Sequence, residues 1–187
     1  MTLTSQLVPT YRQMLGALLG WLTKAENAMP ETADSLLSAR IAPDMFPLAT
    51  QVRFACLQVH EAIFRLKDEE FTDYFEDLVN EGRNAANVPG TMAEAKARIT
   101  EALAMLEGLT PDALDGDEGR PIAHEIPNGM IFDLTAEQYA RDWALPQFYF
   151  HLMSAYAILR GQGIALGKAD FIPHMFPFLR AGTMPTG

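Results

Sequence analysis

Residues 48–66 read Leu-Ala-Thr-Gln-Val-Arg-Phe-Ala-Cys-Leu-Gln-Val-His-Glu-Ala-Ile-Phe-Arg-Leu, a stretch without proline or glycine. Leu48, Val52, Cys56, Val59, Ile63 and Leu66 recur at the three- and four-residue intervals that place side chains on one face of an α-helix. The segment is therefore read as a long helix with a continuous apolar stripe. Such a stripe is stable in water only when other helices cover it.

Those partners lie on both sides. Upstream, Leu7, Tyr11, Met14, Leu15, Leu18 and Leu22 form a second stripe at helical spacing. Pro9 is expected to limit how early that helix begins, and Asn27 to Pro30 to end it. Glu31 to Ser38 reads as one or two helical turns, and Arg40 to Pro47 as a rigid connector. Downstream, seven acidic residues between Asp68 and Glu81 are interleaved with Phe71, Tyr74, Phe75 and Leu78. Calcium-loop spacing is absent there, so the run is read as a solvated face over an aromatic-anchored segment. Thr91 and Glu94 have the capping-box spacing that opens a third long helix, with the stripe Met92, Ala95, Ile99, Ala102, Leu103 and Leu106, closed by Gly108.

Residues 109–121 read as an irregular loop. Ile122, His124 and Ile126 then alternate with polar or small neighbours, Pro127-Asn128-Gly129 supplies a reversal, and Met130, Phe132 and Leu134 alternate again. This is a β-hairpin pattern, and a lone hairpin must lie against the helices to be stable. Thr135 caps a short helix to about Trp143, and Pro146 opens the fourth long helix, striped by Phe148, Leu152, Ala155, Tyr156 and Leu159. The tail, Ile164 to Gly187, is aromatic but broken by Pro173, Pro177 and Pro185, and is expected to wrap the outside or pack on a second subunit. The expected architecture is all-α: one domain over residues 1–187, a four-helix bundle with a small hairpin between helices three and four.

Composition narrows the function. With 187 residues, 49% hydrophobic and 20% charged, the chain is expected to fold alone as one unit. Fourteen basic against 24 acidic residues give a formal charge of -10, which repels nucleic acid and anionic membranes. Cys56 is the single cysteine, so an intramolecular disulfide and a thiolate metal cage are excluded. No run approaches a membrane span, and Met1 to Gln6 lacks a signal-peptide pattern, so the expected location is the cytoplasm. Nucleophile-elbow, dinucleotide and HExxH motifs are absent.

Chemistry is sought at the histidines. His60 and His151 lie on long helices and are expected to look into the bundle, where facing imidazoles can ligate zinc, nickel or iron. Two ligands are too few, and Glu61, His124 or a water could complete the set. The metal-free reading makes His151 a residue that hydrogen-bonds across the bundle to Arg53 or Tyr156. Cys56 is read as core, while Lys168 with Asp170, and Arg40 with Asp44, are read as ion-pair clips.

The strings ARIAPDMFPL at 39–48 followed by Gln51-Val52, LPQFYFH at 145–151 followed by AYAILR at 155–160, and LGKADF at 166–171 resemble the signature blocks of a bacterial family of uncharacterised domains allied to the DinB/YfiT-like metalloenzyme superfamily. The resemblance runs nearly end to end. It implies an up-down-down-up four-helix bundle, a homodimer, and a metal held by one histidine on helix two and two histidines four apart on helix four. His151 matches the first helix-four position, but the position four residues later is Ala155, so the triad is incomplete. His60 would stand in on helix two.

Three functions follow. The resemblance implies a small metal-dependent enzyme, transferase-like, with a degenerate site at His60 and His151. The second reading is a metal-free protein binding a small molecule in a pocket lined by Phe148, Met153, Tyr156 and Trp143. The third is a dimeric scaffold built on the apolar tail.

Overall fold

A computed structural model describes residues 2–183; Pro185 of the expected tail lies outside them. Helix α1 spans Leu3–Ala28, with the Thr2 side chain accepting a hydrogen bond from the Ser5 amide. It starts earlier than Pro9 was expected to allow, and Pro9 lies inside it. Ser5 and Pro9 are both exposed, so the carbonyl left without an amide partner faces water.

A 3-10 helix over Ala33–Ser38 and an irregular connector lead to α2, Leu48–Lys67. Asp68 closes α2 in the left-handed conformation. The acidic run is itself a helix, α3 over Asp73–Asn84, whose Phe75 and Leu78 are buried while Asp73, Glu76 and Asp77 are exposed. Helix α4, Met92–Glu107, begins in a capping box: the Glu94 amide donates to Thr91 Oγ1 (3.2 Å) and the Thr91 amide to Glu94 Oε2 (2.7 Å). Asp34 accepts from the Met92 amide at 2.7 Å and ties the 3-10 helix to this end.

Strands β1, Pro121–Glu125, and β2, Ile131–Thr135, form an antiparallel hairpin in which His124 faces Phe132. Ile122 and His124 are buried and their neighbours on β1 exposed, so one face of β1 lies on the helices. The chain then runs as one uninterrupted helical stretch: α5 over Ala136–Gln138, a π-helical turn over Tyr139–Ala144, and α6 over Leu145–Gly161. The expected break before Pro146 is not made. Widening the helix just ahead of Pro146 relieves the clash its ring would make with the carbonyl four residues back, so the helix passes the proline. A final short helix, α7, covers Lys168–Phe171.

The molecule is mostly helical. Helices α1 and α2 each pack on both α4 and α6, and α3 lies along α2. One cluster of apolar side chains fills the space between them, including Leu15, Leu22, Val52, Val59, Ile99, Leu106, Phe148 and Leu152. Among the described residues no helix is long and apolar enough to cross a membrane.

Candidate functional site

A second stripe of α2 borders the edge of this core. Phe54, Leu57, Gln58, Glu61 and Arg65 recur at intervals of three and four and form one wall of a cleft of about 900 Å³. Phe71 and Phe75 of the α3 segment stack at 4.0 Å between centroids and form a second wall. The hairpin, from His124 to Pro127, closes a third side, and Trp143 from the π-helical turn and His151 from α6 complete the floor. Helix α3 is held in place partly by Arg53, almost fully buried on α2, which donates to Glu81 at 2.5 Å; Arg98 of α4 donates to the same carboxylate at 2.8 Å.

The floor is polar and incompletely paired. Glu61 Oε1 accepts from Arg65 Nε at 2.9 Å, and His124 Nδ1 lies 3.8 Å from the same oxygen, too far for a hydrogen bond. His124 is 2% exposed, and neither ring nitrogen has a partner. Trp143 Nε1 and Gln58 Oε1 are also buried without partners. The His124 ring lies 4.4 Å from Trp143 and 5.4 Å from Tyr139. Burial, and then the Arg65 charge, lower the His124 pKa to about 4, so its imidazole is neutral at pH 7. Behind it the hydroxyls of Tyr139 and Tyr11 are buried and unpartnered. Burial, reinforced by Glu61, keeps both phenols protonated.

His151 sits at the other end of the floor. Its Nδ1 is 2.9 Å from Gln51 Oε1, and its ring meets Phe54 edge to face at 5.3 Å. The partner is therefore Gln51, two residues before the expected Arg53. Burial lowers the His151 pKa to about 4. His60 is elsewhere: its ring packs on Tyr74 of α3 at 5.1 Å, Nε2 is buried without a partner, and burial lowers its pKa to about 4. Nine residues, or two and a half turns, separate His60 from Gln51, so the two imidazoles belong to opposite sides of α2.

Of the cleft lining, Phe46 and His151 lie in the sequence blocks that resembled a known family, and comparison with known proteins addresses the family as a whole. A family model described as a domain of unknown function, DUF1993, matches residues 3–172. The chain belongs to this family. A crystal structure of a DinB family member from Shewanella denitrificans is similar to the DUF1993 chain with a TM-score of 0.71 and 28% identity, covering 96% of this chain and 92% of that one. No curated protein matches. DUF1993 is accordingly an uncharacterised DinB-like domain family.

The metal implied by the DinB resemblance does not fit the donors present. Ala155 is buried and offers no donor atom, and His60 packs on Tyr74 of α3 while His151 packs on Phe54. A ligand bond of about 2.1 Å cannot join imidazoles on opposite sides of a helix. Among the described residues no three His, Cys, Asp or Glu side chains are grouped to hold an ion.

Other expected site residues also disperse. Phe148 is fully buried in the core, Met153 is exposed and Tyr156 packs on Trp21, so of the expected pocket lining only Trp143 reaches the cleft. Cys56 is buried in the core with its thiol pKa pushed up to about 12, first of all by burial. Asp170 does clip the tail, but to Lys24 at 3.0 Å. Arg40 reaches the Pro43 carbonyl (3.4 Å) in place of Asp44. The DUF1993 cleft centres on Glu61 and His124, which the sequence offered only as supplements to a metal set. The alternation of Ile122 and His124 was the available signal, since it turns His124 to the buried face of β1.

Proposed function

We propose that this DUF1993 chain binds a small molecule in the cleft between α2, α3 and the hairpin, without a metal, and that His124 is its principal polar contact. The observation that carries the reading is His124 itself: a buried imidazole with two unpartnered nitrogens on the floor of an aromatic-walled cleft. Leaving a buried polar group unpaired costs about 1–3 kcal/mol, and a fold keeps such groups where something else pairs them. The volume lies in the range of small-molecule sites, and aromatic walls with a few convergent polar groups are their usual lining. The metal-dependent, transferase-like reading has less support because its donor set is dispersed. The fold proposed for this function is a single up-down-down-up four-helix-bundle domain.

Nile red, an uncharged dye that brightens in apolar sites, tests the reading. Saturable binding of one dye per chain is expected, and Val79→Trp, which fills the α3 wall, should abolish it. Unsaturable binding, or equal binding by the filled variant, overturns it.

A homodimer is compatible with this site and is proposed with it. Phe150 and Met153 project from the outer side of α6, 56% and 42% exposed, as an apolar face that a second copy would cover. Light scattering is expected to report twice the 20.7 kDa chain mass.

A further inference from the structure

We infer that the ligand of this cleft is an uncharged, ring-containing hydrophobic molecule bearing one hydroxyl-type group that both donates and accepts a hydrogen bond. The inference rests on the binding reading above and adds the ligand's chemical class.

Charge is the first constraint. The two charges on the floor are already spent on each other: Arg65 Nε donates to Glu61 at 2.9 Å, and the Arg65 guanidinium also lies 5.1 Å from the Phe71 ring centre, over its face. Glu61 lies 3.8 Å from His124 Nδ1, so a ligand carboxylate brought to His124 would meet like charge, and a ligand ammonium would have to compete with Arg65 for the carboxylate that Arg65 already pairs. Burying an ion under those conditions is strongly unfavourable. Glu76, Arg83 and Glu125 lie at the exposed mouth, where solvent and salt weaken their pull.

Hydrogen-bonding capacity is the second. A neutral imidazole presents one N–H donor and one bare nitrogen acceptor. Trp143 Nε1 adds a donor and Gln58 Oε1 an acceptor, and all of these atoms lack partners. A hydroxyl satisfies such a mixed set, since it donates once and accepts twice. A carboxylate only accepts and an ammonium only donates, so each would leave part of the set unpaired. The walls supply the third constraint: the stacked Phe71 and Phe75, with Phe54 and Trp143, present ring faces and edges suited to another ring.

Calorimetry with four naphthalenes of one shape separates the possibilities: 2-naphthol, 2-methylnaphthalene, naphthalene-2-carboxylate and 2-naphthylmethylammonium, at pH 7. Wild-type protein is expected to bind 2-naphthol about tenfold more tightly than the methyl compound and more tightly still than either ion. His124→Phe should abolish the preference for 2-naphthol over 2-methylnaphthalene while retaining binding of the latter. If either ion binds as tightly as 2-naphthol, or the preference survives His124→Phe, the ligand class is wrong although Nile red still marks the cleft as a binding site. If Nile red binding itself fails to saturate, the binding reading and the inference fall together.

Discussion

Each of the three helix-facing or hairpin histidines occupies a pocket of different make-up, yet burial lowers the pKa of each to about 4. An imidazole that is harder to protonate when folded than when unfolded contributes stability above its unfolded pKa of about 6.5, and that contribution is lost as pH falls toward 4. Urea midpoints should therefore be flat above pH 7 and decline between pH 6.5 and 4. His60→Phe keeps a ring against Tyr74 and removes one of these protonations. Its stability curve should lose about one proton of slope in that window, and an unchanged slope would show that His60 titrates normally. His60 also lies outside the cleft, so the same variant should bind Nile red as wild type does. Of the histidines, the sequence could say which helix carried each, because spacing fixes the face of a helix. It could not say what stood opposite. His60 meets Tyr74 and His151 meets Gln51 only because α3 and α6 lie on different sides of α2.

Helix α3 has a solvated acidic face over aromatic anchors, as its sequence reads, and shows how such an element acts on the site. Phe75, Leu78 and Gly82 recur at intervals of three and four and form its buried face, opposite the exposed Asp73, Glu76 and Asp77. It approaches α2 so closely that Gly82 lies directly against the Phe54 ring, with no room for a side chain. Gly82→Ala would push that ring, the nearest movable group, into the cleft it lines. Since alanine favours helix over glycine by about 1 kcal/mol, overall stability should change little while Nile red affinity drops about tenfold. Unaltered affinity with lowered stability would mean that α3 moves outward instead of Phe54. The π-helical turn is the second element-scale feature. It carries Trp143 and Tyr139, four residues apart and so on one face of the helical stretch, to 4.4 and 5.4 Å from the His124 ring.

At the scale of the whole molecule, the tail closes the face of α1 and α6 remote in sequence from its own helix. Trp21 Nε1 donates to the Asp170 carbonyl at 2.8 Å, its ring stacks on Phe171 at 5.8 Å, and Lys24 binds the Asp170 carboxylate. A chain ending at Gly167 should lose about 3 kcal/mol, from one buried hydrogen bond, one aromatic stack and part of a phenylalanine's burial. In a Trp143→Phe background, where Trp21 is the remaining indole, its emission should shift to the red on truncation. An unshifted spectrum would show that the tail does not cover Trp21 in solution. Nile red binding should persist in the truncated chain, because the cleft lies beyond α2.

The helical class, the long apolar faces, the Thr91–Glu94 cap and the hairpin were determined by the sequence alone, because each depends on residues within a few positions of one another. The DinB-like relationship was also legible there, in short blocks along the chain. The site was decided by the tertiary structure. Glu61 and Arg65 on α2, His124 on β1, Trp143 in the π-helical turn and Phe71 before α3 converge from positions up to 82 residues apart, between Glu61 and Trp143. No local pattern records such an approach. Whether a buried imidazole is paired depends on what the fold places within about 3 Å of its nitrogens, and that distance is set by the packing of whole elements.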